Sequence, residues 1–85
     1  MASQRKREGR SGRENDAELV ALGQRVLELR EAAGMTQEQL AHAAGLHWTY
    51  IGQIERGKRN PTYKNVRKLA KGLGIDTAKL LRGLG

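Results

Sequence analysis

Two histidines, one helical glutamate and one glycine-spaced run are the groups in this chain that invite a catalytic or metal-binding reading. His42 and His47 stand five apart with no thiolate in the chain, too few ligands at the right spacing for a zinc site. The run from Gly52 through Gly57 and Lys58 has the spacing of a phosphate-binding loop. Arg59 follows it, however, where a Ser or Thr must hold Mg²⁺, and the run reads as an amphipathic helix with no strand before it. Glu55 has no second acid or histidine at helical spacing with which to share proton transfer. Cysteine is absent, which removes disulfides, thiolate ligands and cysteine nucleophiles together. Asn60-Pro61-Thr62 is no glycosylation acceptor, because proline blocks it. The expectation is a non-enzyme that needs no cofactor and no metal.

What remains is charge. Sixteen Lys and Arg against nine Asp and Glu give a net charge of +7, with one Trp and no Phe, a balance that suits a polyanion better than an apolar ligand. The excess is uneven: residues 47–85 hold nine basic and two acidic groups, whereas residues 17–46 hold two and four. Residues 1–16 carry five basic and three acidic groups without any hydrophobic period. They read as a disordered basic tail, either merely solvated or an arm lying along phosphates or in a minor groove. The longest apolar run, Leu19-Val20-Ala21-Leu22, is far short of the roughly 20 residues of a spanning helix. Met1 to Asp16 has no apolar stretch for a signal peptide, so the expected setting is the cytoplasm, on the nucleoid, with no membrane partner.

The elements that would carry this charge are helical. Leu19, Leu22, Val26, Leu29 and Ala33 recur at three or four residues, after a candidate cap at Asp16 and before a stop at Gly34. Thr36 and Gln39 have the spacing of a capping box for a second helix ending about Ala44. Gly45 supplies a tight turn, and Leu46 returns to the core. A third helix from His47 or Trp48 sends Ile51 and Ile54 inward and leaves Trp48, Thr49, Gly52, Gln53 and Arg56 on its other side. After Gly57 a basic loop, Lys58-Arg59-Asn60-Pro61, leads to Thr62 and a fourth helix carrying Val66, Leu69, Ala70 and Leu73. Asp76 or Thr77 caps a short last helix. Leu80, Leu81 and Leu84 there offer more apolar surface than one subunit can bury, which makes them the candidate dimer interface. No segment alternates with period two, so the expected fold is all-α: one compact five-helix domain over residues 17–85, with too short a chain for a separate effector domain.

Residues 37–56 have a mechanical logic of their own. A short helix with Leu40 and small Ala41 inward, a glycine turn, and a second helix held down by Ile51 and Ile54 must cross steeply. That pushes the outer face of the second helix to where it can enter a major groove about 12 Å wide. The amide of Gln53 matches adenine N6 and N7, while the Trp48 indole can donate to a phosphate or touch a thymine methyl.

Leu29 to Gln37, Leu40-Ala41, Ala44-Gly45-Leu46, Tyr50-Ile51, Gln53 to Pro61 and Leu69-Ala70 occur in this order, over roughly residues 19–81. In that pattern the sequence resembles the Cro and phage-repressor type helix-turn-helix family, also called the XRE family, a five-helix lambda-repressor-like DNA-binding domain. The resemblance implies a sequence-specific transcriptional regulator. It implies that Gln37 meets a DNA phosphate, that Trp48, Thr49, Gly52 and Gln53 face base edges, and that Tyr50, Lys58, Arg59 and Asn60 contact the backbone. It further implies a structural ion pair between Arg30 and Glu55, and a last helix that pairs subunits. Gly52 departs from the family, which often has a base-reading side chain there; it either permits closer backbone approach or is silent.

The expected partner is therefore double-stranded DNA, bound by a homodimer on an inverted-repeat operator, because one recognition helix reads too few base pairs alone. Autoregulation in the manner of a controller protein or phage repressor is the reading that fits a chain without an effector domain. Repressor and activator remain open, the latter needing a patch for RNA polymerase. The alternative is an antitoxin or other protein-interaction module, with a toxin as partner and DNA binding secondary.

Overall fold

Each helix begins where a side chain takes over the N–H groups that the first turn leaves unpaired. Asp16 Oδ1 accepts from the N–H groups of Glu18 (3.0 Å) and Leu19 (3.3 Å), opening α1, Ala17–Ala32. In α2, Gln37–Ala44, the capping box closes reciprocally: Gln39 N–H donates to Thr36 Oγ1 at 3.0 Å, and Thr36 N–H donates to Gln39 Oε1 at 2.8 Å. The cap of α3, Trp48–Glu55, is a histidine, whose Nδ1 accepts from Thr49 N–H at 3.2 Å. Thr62 and Asp76 cap α4, Tyr63–Leu73, and α5, Thr77–Leu81, through bonds from Asn65 N–H and Lys79 N–H. The computed structural model describes residues 16–85, and among these there is no strand. The tail reading for residues 1–15 lies outside the described residues. No described helix is long and apolar enough to cross a membrane.

The turn between α2 and α3 is set by Gly45, whose φ of 72° puts it in the left-handed region where a Cβ would be strained. Leu46 N–H then returns to Ala41 C=O at 2.9 Å, fixing the direction in which α3 leaves.

The five helices enclose one core. Leu40, Ile51, Ile54, Leu69, Leu80 and Val26 are its largest fully buried side chains, and they come from all five. The most extensive pairings are α2 on α4 and α1 on α3. The second is closer than side chains normally allow, because Gly23 in mid-α1 faces the end of α3. A Cβ there would strike the carbonyl oxygen of Ile54 and lie 2.8 Å from that of Glu55. Gly72 makes a similar approach to α2, where a Cβ would sit 3.0 Å from the backbone nitrogen of Ala44.

Leu80 requires a correction. Grouped in the sequence with Leu81 and Leu84 as subunit-pairing surface, it is fully buried inside its own chain. The short α5 turns this leucine into the bundle, and Arg25 of α1 holds it there. Arg25 Nη1 donates to Leu80 C=O at 3.0 Å, and Nη2 to Arg82 C=O at 2.9 Å, satisfying carbonyls at the end of α5. Leu81 remains 39% exposed and Leu84 half-buried, so the free apolar surface of this end is narrower than the composition suggested.

Candidate nucleic-acid interface

Ile51 and Ile54 anchor α3, and their burial decides which residues stand free. Trp48 is 51% exposed, Thr49 is exposed, and Gln53 is half-buried beside them. Arg56, Lys58, Arg59 and Asn60 continue the exposed surface past the helix end. Between His47 and Lys58 the sequence has a single acid, Glu55, and its side chain is 4% exposed. The surface presented by α3 and the following loop is thus a cationic rim beside neutral hydrogen-bonding and aromatic groups. Such a surface suits a polyanion whose interior edges carry donors and acceptors.

Glu55 is the knot behind this surface. It accepts from Arg30 Nε at 2.6 Å, from Arg30 Nη2 at 3.1 Å and from Gln37 Nε2 at 2.9 Å. Arg30 Nη1 donates to Met35 C=O at 2.8 Å, so one guanidinium ties α1, the connection before α2 and the end of α3 together. The forked pair is nearly shielded from solvent, with Arg30 12% and Glu55 4% exposed. Hydrogen bonding to Glu55 holds the Arg30 pKa above its ordinary value, outweighing the opposing effect of burial. A raised folded-state pKa gives stability that is fully present at neutral pH and lost only in strong alkali.

Gln37, at the positive end of the α2 dipole, is partly engaged by this knot: one Nε2 hydrogen goes to Glu55. Gly52 is buried, not open to a groove. A Cβ on it would lie 3.4 Å from Arg56 Nη1 and 3.7 Å from both polar atoms of the Gln37 amide, so these two side chains cover it. Its place among outward-facing residues is corrected accordingly: helical phase puts it on that side, and neighbours from α2 and α3 close over it.

Tyr50 and Arg59 form a second assembly. The Arg59 guanidinium carbon lies 5.0 Å from the Tyr50 ring centroid, a cation–π contact. The Tyr50 hydroxyl accepts from Asn65 Nδ2 at 3.0 Å. Arg59 Nη1 also donates to Gln53 Oε1 at 3.0 Å, linking the loop to the face of α3. Asn65 and Arg25 had no signal in the sequence, because their partners lie 15 and more than 50 residues away. Among the described residues no three His, Asp or Glu side chains gather as a metal site, and His47 Nδ1 is engaged as the α3 cap.

Comparison with known proteins gives this geometry a context. Residues 26–80 match the profile of a family described as helix-turn-helix. The control protein C.BamHI of Bacillus amyloliquefaciens is 45% identical over 63 residues, spanning 73% of this chain and 78% of that protein. The crystal structure of the restriction-modification controller protein C.AhdI from Aeromonas hydrophila superimposes with a TM-score of 0.74 at 48% identity. It covers 75% of this chain and 97% of its own. The controller protein C.Esp1396I, solved as a tetramer in complex with its natural 35 base-pair operator, superimposes with a TM-score of 0.75 at 35% identity, covering 80% and 90%.

Proposed function

We propose, from the premise that this chain belongs to the helix-turn-helix family of DNA-binding transcriptional regulators, that it works as a homodimer on an inverted-repeat operator and controls its own gene. The similarity to restriction-modification controller proteins over most of their own length supports a regulator of that kind, and dimerisation and operator binding governed by mass action make its own concentration the signal. Residues 17–85 form the DNA-binding domain, and its setting is the bacterial or phage-infected cytoplasm.

The observation that carries the reading is the outer surface of α3 with its loop. Trp48, Thr49 and Gln53 stand clear of the core, and a cationic rim of Lys58 and Arg59 follows them at once. In this reading Trp48, Thr49 and Gln53 meet base edges in the major groove. Gln37, Tyr50, Lys58, Arg59 and Asn60 meet the phosphates on either side. Gln37 retains one Nε2 hydrogen for a phosphate oxygen, and Tyr50 retains its hydroxyl hydrogen. Leu81 and Leu84 supply the apolar part of the subunit contact.

Selection from a random duplex library at about 150 mM salt tests the proposal. The expected product is an enriched inverted repeat, bound roughly 10³-fold more tightly than a scrambled duplex. A library that emerges without any enriched sequence would refute operator recognition.

A further inference from the structure

Gln53, the residue whose amide is best suited to reading a base, is not a free side chain. Its Oε1 accepts from Arg59 Nη1 at 3.0 Å. Arg59 is seated in turn, with its guanidinium carbon 5.0 Å from the Tyr50 ring centroid. Asn65, in the first turn of α4, donates to the Tyr50 hydroxyl at 3.0 Å. A continuous chain of contacts therefore runs from α4 through Tyr50 and Arg59 to the tip of the recognition face.

The chemistry of that chain is directional. A guanidinium carries donors and no acceptor, so the amide edge that meets it has to be the oxygen. The reverse orientation would set NH₂ against N–H and leave the Arg59 hydrogen without a partner. Arg59, having no acceptor, leaves the two Nε2 hydrogens of Gln53 to another partner. In the major groove, the bidentate pairing of a Gln amide with adenine needs one donor and one acceptor, for N7 and N6–H₂. Guanine instead presents O6 and N7, two acceptors side by side. With its oxygen on Arg59 and a fixed positive charge next to it, Gln53 offers hydrogens from electropositive surroundings. That favours the acceptor edge of guanine and disfavours the N6–H₂ donor of adenine.

We propose that Arg59 is a specificity-positioning residue: by fixing the Gln53 amide, it makes Gln53 read guanine in preference to adenine. The proposal rests on the reading above, that this face binds DNA, and it refines the adenine match that the Gln53 amide alone suggests. An arginine that only held a phosphate would weaken every duplex by a similar factor. Arg59 in addition sets the choice of base at one position.

The test uses the full chain and four proteins: the unaltered protein, Gln53→Ala, Arg59→Ala and the double variant. Far-ultraviolet circular dichroism confirms folding in each, as expected for an exposed Arg59 and a half-buried Gln53. Each is titrated with the selected operator and with duplexes that carry the other base pairs at the position where Gln53→Ala flattens the preference. The unaltered protein is expected to prefer guanine over adenine there by about tenfold. Arg59→Ala is expected to bring that ratio below about threefold while also weakening all duplexes, and to change the ratio no further when Gln53 is already alanine. An intact ratio in Arg59→Ala, or a preference for adenine in the unaltered protein, would overturn the proposal and leave operator recognition standing. No base preference anywhere in the operator would overturn both.

Discussion

Arg30 and Glu55 show how a few atoms can hold the end of one helix, and the proposed DNA-binding surface on it, in place. The guanidinium is engaged on three nitrogens, two by Glu55 and one by Met35 C=O. Removing it strands a carboxylate that is 4% exposed and keeps only Gln37 as partner. Loss of one member of a shielded pair costs roughly 3 kcal/mol, mainly through the charge left behind. Arg30→Ala is therefore expected to lower the melting temperature by roughly 10 °C or more. A superimposable melting curve would show that the pair contributes nothing. Lys58→Ala belongs to the other class of residue, exposed and outside the hydrogen-bonded assemblies described above. It should weaken all duplexes by a similar factor and lower the salt slope by about one, read from titrations at several salt concentrations. A change in preferred sequence would contradict its assignment to the phosphates.

At the scale of the elements, two glycines inside helices behave oppositely. Gly52 in α3 faces the flexible ends of Arg56 and Gln37, so a methyl group meets only ordinary contacts. Gly52→Ala is expected to raise stability by up to about 1 kcal/mol through helix propensity. Gly23 in α1 faces the backbone oxygens of Ile54 and Glu55, which cannot yield without moving α3. Gly23→Ala is expected to cost roughly 3 kcal/mol or more. Thermal melts of the pair check both signs, and equal shifts would contradict the close approach of α1 and α3. This contrast also marks what was legible in the sequence. Caps, the left-handed Gly45 and the apolar stripes depend on residues a few positions apart, and all five helices could be read from them. Gly23 carries no local sign, since a mid-helix glycine looks the same whether it faces solvent or another backbone. Leu80 was misjudged for the same reason. A helix as short as α5 has too little periodicity to say which leucine turns inward, and Arg25, which pins it, is 55 residues away. The candidate site is legible as a face and a loop, whereas the contacts that tie Gln53 to Arg59 and Tyr50 to Asn65 arise only in the folded chain.

For the whole molecule, the question is how one small domain reaches useful specificity. Pairing two recognition helices multiplies the base pairs read, and it makes occupancy depend steeply on concentration. The subunit contact proposed at Leu81 and Leu84 can be separated from folding, because Leu81 is 39% exposed while Leu80 is fully buried. Leu81→Asp is expected to shift the sedimenting species to monomer at tens of micromolar with little change in helicity. Leu80→Ala should instead destabilise the fold by roughly 2–5 kcal/mol. A Leu81→Asp protein that still sediments as a dimer would place the interface elsewhere. Charge adds a second whole-molecule property, since +7 on 85 residues makes association fast and salt-dependent.

Operator spacing tests most directly whether a dimer places both recognition faces on one side of the duplex. Half-sites one turn apart, about 34 Å, face the same way, and inserting about 5 base pairs rotates one of them to the far side. Titration of the selected operator against this expanded duplex should show affinity falling by about 10²-fold, to the level of a single half-site. Equal affinity for the two duplexes would contradict such a dimer, because it would mean that each domain binds alone.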